Sequence, residues 1–221
     1  MVKLKQKTNM IFVKEIKETL NALSVKGLVT ILKQAIIPAL LFYAISLYIL
    51  RSSGYETMEI IRDTAQITEH SSFLGFLSNI GIWLWICSVA ICFFAATSRK
   101  DQLDKQHRQL LILSGLLSLL LAVDDFFMIH DRYVNQYICY FAYILFAGLL
   151  VLKHYKTILK IEPLGFLLMG IFLMSSIGTD VIQRYLPFEY SNTQIFEEGF
   201  KFLGAATWLF FNYRAASYKE V

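Results

Sequence analysis

The stretch LLLAVDDFFMIHDRY, Leu119 to Tyr133, decides how the chain is read. Its first part is the apolar end of a membrane-spanning helix, and its second part sets Asp124, Asp125, His130 and Asp131 close together. A charge at the centre of a bilayer costs roughly 2.5–3.5 kcal/mol on insertion scales, so these groups must face water, a partner or a cation rather than lipid. The rest of the chain has to supply those surroundings.

It does so as a membrane protein. Of 221 residues, 56% are hydrophobic and 15% aromatic, and the mean hydropathy is +0.51, outside the range of ordinary soluble domains. Apolar runs recur at the roughly 20 residues that a helix needs to cross a hydrocarbon core about 30 Å thick. The alternating pattern of a lipid-facing barrel is absent. The expected fold is all-α, a polytopic bundle of six transmembrane helices over Gly27–Leu50, Phe73–Thr97, Gln109–Tyr133, Tyr137–Leu152, Leu164–Gln183 and Gln194–Tyr213. Residues 1–26 are expected to form a cytoplasmic amphipathic segment, with Met10, Val13, Leu20 and Leu23 on one face of a short interfacial helix. Residues 51–72 form an external, lid-like loop in which Met58, Ile61 and Ala65 recur at helical spacing, and 214–221 a cytoplasmic tail. The basic start MVKLKQK precedes an apolar run too long for a signal-peptide core, and no small-x-small cleavage site follows, so the first span reads as a retained anchor. Close helix contacts are expected at Ser114, Ser118, Gly170, Gly178, Gly199 and Gly204.

Orientation follows from the cations. The segment through Lys33 carries seven Lys and Arg residues, the 98–108 loop four, the 153–162 loop three and the tail two; the opposite side has only Arg51, Arg62, Arg132 and Arg184. The positive-inside rule then places both termini in the cytoplasm, for which a bacterial inner membrane is the default. The formal charge of +4 is spread over helix ends in this way, which argues against a nucleic-acid partner. Cys87, Cys92 and Cys139 read as small buried hydrophobes with no disulfide or metal spacing.

Placing the ionisable groups on this topology gives a one-sided cluster. Asp124, Asp125, His130 and Asp131 fall in the outer third of the third span, Ser175, Ser176, Thr179 and Asp180 end the fifth, Glu197, Glu198 and Lys201 begin the sixth, and Glu69 and His70 precede the second. As one continuous helix, the third span sets Asp124 and Asp131 on a shared face and turns Asp125 about 100° away. The inner halves of the spans are nearly free of such groups, and His107 and His154, among basic residues, are assigned no role. Each element has a plain structural reading: aspartates bonded to Ser175 or Thr179, a histidine ring resting at the interface, glutamates at the positive N-terminal end of a helix, and Lys201 as a counter-ion. None of these explains why all the groups share one leaflet.

Asp124, Asp125, Asp180, Glu197 and Glu198, all inside spans, face Lys201 as their lysine, so the pocket is expected to hold a cation, protonated carboxylates or both. Asp124, Asp125, His130 and Asp180 are the expected ligands of Zn²⁺ or another divalent cation, with Glu197 or Glu198 as general base and Lys201 stabilising an oxyanion. Three protein ligands leave a position for a water whose pKa falls to about 7. The expected activity is that of a metal-dependent membrane hydrolase acting on a lipid or lipid-linked substrate, its other partner being the bilayer. The alternatives are a cation- or proton-coupled transporter or channel component, and a small-ligand sensor or subunit of a membrane complex. The layout loosely resembles that of intramembrane zinc amide hydrolases of the alkaline ceramidase kind. Those enzymes are expected to carry an HxxxH pair on a late helix and seven spans, whereas this chain has EEGFK at 197–201 and six expected spans, so no family membership follows.

Overall fold

The computed structural model describes residues 29, 33, 36–61, 64–71, 73–185, 187 and 190–218. All regular structure among them is helical, with no strands. The chain divides into two compact units, Met1–Leu74 and Gly75–Val221. The first contains α1 (Ile37–Ser52), α2 (Thr57–Ile61) and α3 (Thr64–Ile67). The expected interfacial helix around Met10–Leu23 lies outside the described residues. Of the expected first span, Gly27–Leu50, the described helix covers Ile37–Leu50 and runs on to Ser52, while most of residues 27–36 lie outside the described residues.

The second unit contains α4 (Phe76–Ser98), α5 (Lys105–Phe127), the single turn α6 (Ile129–Arg132), α7 (Gln136–Ile161), α8 (Pro163–Ile182), a 3₁₀ turn (Gln183–Tyr185) and α9 (Tyr190–Ser217). Four of these, α4, α5, α7 and α8, are long and apolar enough to cross a membrane. The protein is an integral membrane protein on that count. At 28 residues α9 is long enough, but Lys201, Asn212, Tyr213 and Arg214 dilute its apolar run.

Local chemistry sets the helix starts. Asp104 caps α5 by accepting from the His107 amide at 2.5 Å, Asn135 caps α7 by accepting from the Tyr137 amide at 2.9 Å, and Pro163 occupies the first turn of α8, where no amide donor is needed. Two expected boundaries move. The 153–162 segment is not a loop: α7 continues to Ile161, because His154, Ile158 and Ile161 bury one side while Lys153, Lys156 and Lys160 occupy the last turns. The third span does not reach Tyr133: α5 stops at Phe127, where Met128 takes the left-handed conformation (φ 52°), and α6 starts afresh.

The core lies where α4, α5 and α9 meet, with α8 packed along α9. Trp85, Leu110, Leu111, Trp208 and Phe211 are its largest buried apolar side chains. Trp208 stacks on Phe211 at 5.5 Å, and Phe166 of α8 meets Phe211 edge-on at 5.0 Å. At Gly204 a Cβ would run into the side chain of Leu173, so glycine lets α8 approach α9 here without displacing that leucine. Ser114 and Ser118 are likewise buried. Gly170, Gly178 and Gly199 are not close-packed: a Cβ at each would meet nothing within 4 Å, because those faces turn into open space rather than against a neighbouring backbone. At the other end of the bundle Arg99 ties α4 to α9 by donating to the carbonyls of Ala216 and Tyr218.

Candidate functional site

The break at Met128 builds the site. On an unbroken helix His130 would be turned about 120° from Asp124 and raised about 9 Å above it, out of reach. The left-handed residue folds the chain back instead. The His130 amide donates to Asp124 Oδ1 at 3.0 Å and its Nδ1–H to Oδ2 at 2.6 Å. The ring also lies 6.1 Å from Tyr140 of α7, and its Nε2 is 3.4 Å from the exposed carboxylate of Asp131. The hydrogen bond to Asp124, together with the negative charge of Asp124 and Asp131, raises the pKa of His130 above the ordinary imidazole value against the opposing effect of burial.

Asp125 has a different set of partners. It accepts from the indole N–H of Trp85 at 3.0 Å and pairs with Lys201 Nζ at 3.7 Å, and Lys201 in turn donates to Glu198 at 2.7 Å. Helices α4, α5 and α9 therefore share one carboxylate–ammonium cluster. Asp180, at the end of α8, is held by three donors: Tyr140 Oη at 2.7 Å, Gln183 Nε2 at 2.6 Å and Gln136 Nε2 at 3.2 Å. Gln194 bridges onward, donating to Gln183 at 3.3 Å and to Glu197 at 2.7 Å.

Asp124, Asp125 and His130 each offer one ligand atom, and those atoms lie within 4.8 Å of one another, the one such group among the described residues. Ligand atoms around a tetrahedral ion with bonds of about 2.0–2.2 Å lie roughly 3.4 Å apart, so these three would have to draw together to hold one. Glu197 and Lys201 line the same cavity as these three, whereas Asp180 lines neither cavity described below, and Glu198 turns towards the second one. His70 is exposed and belongs to the first unit.

The first cavity, of about 340 Å³, lies between α5, α7, α8 and α9. Its polar end carries Asp124, Asp125, His130, Tyr140, Glu197 and Lys201; the remainder is walled by side chains such as Leu117, Leu121, Ile144, Val151, Phe166 and Met174. A second cavity, of about 640 Å³, lies between α4 and α9, and Trp85, Asp125 and Lys201 form the partition shared by both. A volume of this order with convergent polar groups at one end suits an amphiphilic ligand.

Further polar side chains lie buried away from this end. Along α5, His107, Ser114, Ser118 and Asp125 fall within about 20° of one face, and along α9 Lys201, Trp208 and Asn212 do the same. The two helices pair these faces in antiparallel register: Trp208 donates to Ser118 at 2.7 Å, and His107 Nε2 donates to the Ala215 carbonyl at 2.8 Å. His107 and Asn212 are fully buried, and His154 is 1% exposed. No partner among the described residues is found for His107 Nδ1, Ser114 Oγ, either ring nitrogen of His154, or the Asn212 amide. On sequence alone His107 and His154 have no role, because their basic neighbours suggest a solvated flank. The signal that marks them otherwise is the spacing of His107, Ser114 and Ser118 on one helix face.

Fold and site together define an integral membrane helical bundle with an acidic and histidine-bearing cavity at one end. The chain belongs to the family described as Domain of unknown function (DUF8692), which matches residues 27–215. No curated protein and no solved structure matches the chain.

Proposed function

We propose that the protein is a metal-dependent membrane hydrolase whose substrate is a lipid or lipid-linked ester or amide. The observation that carries this reading is the meeting of three candidate ligands, Asp124, Asp125 and His130, at the polar end of an otherwise apolar cavity that also holds Glu197 and Lys201. Two carboxylates and an imidazole suit Zn²⁺ or a similar divalent cation, which would lower the pKa of a water at its open position to about 7. Around it the chain's own groups have distinct tasks. Glu197, held by Gln194, would act as general base towards such a water, and Lys201 would bring positive charge to the same wall for a developing oxyanion. Asp180, with Tyr140 and Gln136, braces α8 against α7. In this reading the site faces the outer leaflet of a bacterial inner membrane, and both termini are cytoplasmic.

Elemental analysis of purified protein is the test. About one equivalent of Zn²⁺ or a similar ion per chain is expected, lost in Asp124→Asn and His130→Ala with the helical content unchanged, together with hydrolysis of a long-chain fluorogenic ester or amide. Metal-free protein of normal stability overturns the proposal. A second reading, cation- or proton-coupled transport, is favoured by one observation: the buried His107, Ser114 and Asn212 continue polar chemistry past the cavity. That reading expects ion flux in proteoliposomes with no bound metal.

A further inference from the structure

The apolar part of the first cavity has walls of two kinds. Leu117, Leu150 and Met169 are buried, as core residues are. Ile144, Val151 and Met174 line the same cavity and yet are 46%, 36% and 53% exposed. Exposure of this size in side chains that also line the cavity marks where the cavity reaches the surface of the bundle, and these three lie on α7 and α8. The cavity is therefore open between those two helices.

Two further facts explain the gap. First, α8 packs along α9 rather than along α7, although α7 and α8 are joined directly through Glu162 and Pro163, so the pair is splayed. Second, the cavity-lining positions on the two helices include Gly148 on α7 and Gly170 on α8, and a Cβ at either would meet nothing within 4 Å. Glycine inside an exposed helix costs about 1 kcal/mol relative to alanine, and neither glycine is required by a tight contact or a positive φ. What they contribute is space.

The opening lies on two helices apolar and long enough to cross the membrane, midway along both. The medium at that depth is hydrocarbon, and only an apolar occupant can enter without a desolvation penalty. From Tyr140 at the polar end to Val151, the α7 wall runs about 16 Å, and its far part bears no charged side chain. We infer that the α7–α8 gap is a lateral portal through which one alkyl chain of a membrane lipid enters the cavity, its head directed to Asp124, Asp125 and Lys201, with Gly148 and Gly170 as the residues that keep the gap open. The inference takes from the proposed function the reading of this cavity as the substrate site. It adds the route and the residues that set chain access.

The experiment needs no turnover. Full-length protein is reconstituted in phosphatidylcholine vesicles containing a phosphatidylcholine with a diazirine in the middle of one acyl chain, photolysed, and mapped by peptide mass spectrometry. Label on buried Leu117 or Met169 reports a chain inside the cavity, and label on outward-facing Phe141 or Leu152 reports ordinary lipid contact. Wild type is expected to be labelled at both sets. Gly148→Leu with Gly170→Leu should cut labelling of the inner set at least fivefold and leave the outer set unchanged. These substitutions replace glycine by a strong helix former, so the melting temperature should hold or rise. Inner labelling that is absent from wild type, or undiminished in the double variant, overturns the portal. Failure of the hydrolase reading is separable: inner labelling in a metal-free, inactive protein keeps the portal and removes the enzyme. Hydrolysis of a short, water-soluble ester without inner labelling does the reverse.

Discussion

In chelator-treated protein, replacing Lys201 by methionine should destabilise the bundle more than replacing Asp125 by asparagine, although both break the same 3.7 Å contact. The asymmetry comes from what each change leaves behind. An asparagine side chain at position 125 keeps an oxygen for the Trp85 indole, and Lys201 retains Glu198 at 2.7 Å, so Asp125→Asn should cost about 1 kcal/mol, the net worth of one hydrogen bond. Lys201→Met leaves two carboxylates, Asp125 and Glu198, facing each other without a cation. Stranding a buried charge costs about 3–5 kcal/mol. The side chains are 28% exposed at Lys201 and 43% at Glu198, and water at Glu198 relieves part of the penalty, so about 2–3 kcal/mol is expected. For a chain of this size that is a drop of roughly 4–12 °C in melting temperature, against roughly 2–4 °C for Asp125→Asn. The double substitution should recover part of the loss, because it removes one of the stranded carboxylates. Thermal unfolding in detergent, followed by circular dichroism on all three variants, gives the cycle. If Lys201→Met proves no worse than Asp125→Asn, or the double variant is the sum of the two, the shared cluster is not an energetic unit and the reasoning fails.

Other predictions follow from single observations. Met128→Gly should stabilise the protein by about 1 kcal/mol, whereas Met128→Val, β-branched at φ 52°, should cost about 1–3 kcal/mol and detach His130 from Asp124, visible as a shift of the His130 ring resonances. Asn212→Leu removes a buried amide without a partner among the described residues, so unfolding should show a gain of about 1 kcal/mol; a clear loss would mean the amide is satisfied by bound water. In chelator-treated protein, the raised pKa of His130 means that its contribution to stability is full below the unfolded imidazole value of about 6.5 and is lost as pH rises through the folded value. The stability advantage of wild type over His130→Gln should therefore shrink on going from pH 6 to pH 9, and an advantage that grows would reverse the sign of the argument.

Much of this molecule was legible in one dimension. Apolar runs at bilayer length fixed an all-helical membrane protein, because backbone groups in hydrocarbon must be satisfied within the segment. The cost of charge in lipid singled out Asp124, Asp125, His130, Asp180, Glu197 and Lys201 as side chains in need of company. Which of them keep company with which could not be read from spacing. Helical periodicity set Asp124 beside Asp131 and away from His130; one left-handed residue reversed that, and nothing in the composition of FFMIH marks a methionine for that role. Packing made the remaining choices. The approach of α8 to α9 at Gly204 and the splay of α8 from α7 place Glu197 and Lys201 in the cavity, tie Asp180 to Tyr140 and Gln136, and open the side wall at Gly148 and Gly170. These are relations between surfaces distant in sequence, set by side-chain volume across helices, whereas hydropathy records only how each segment partitions on its own.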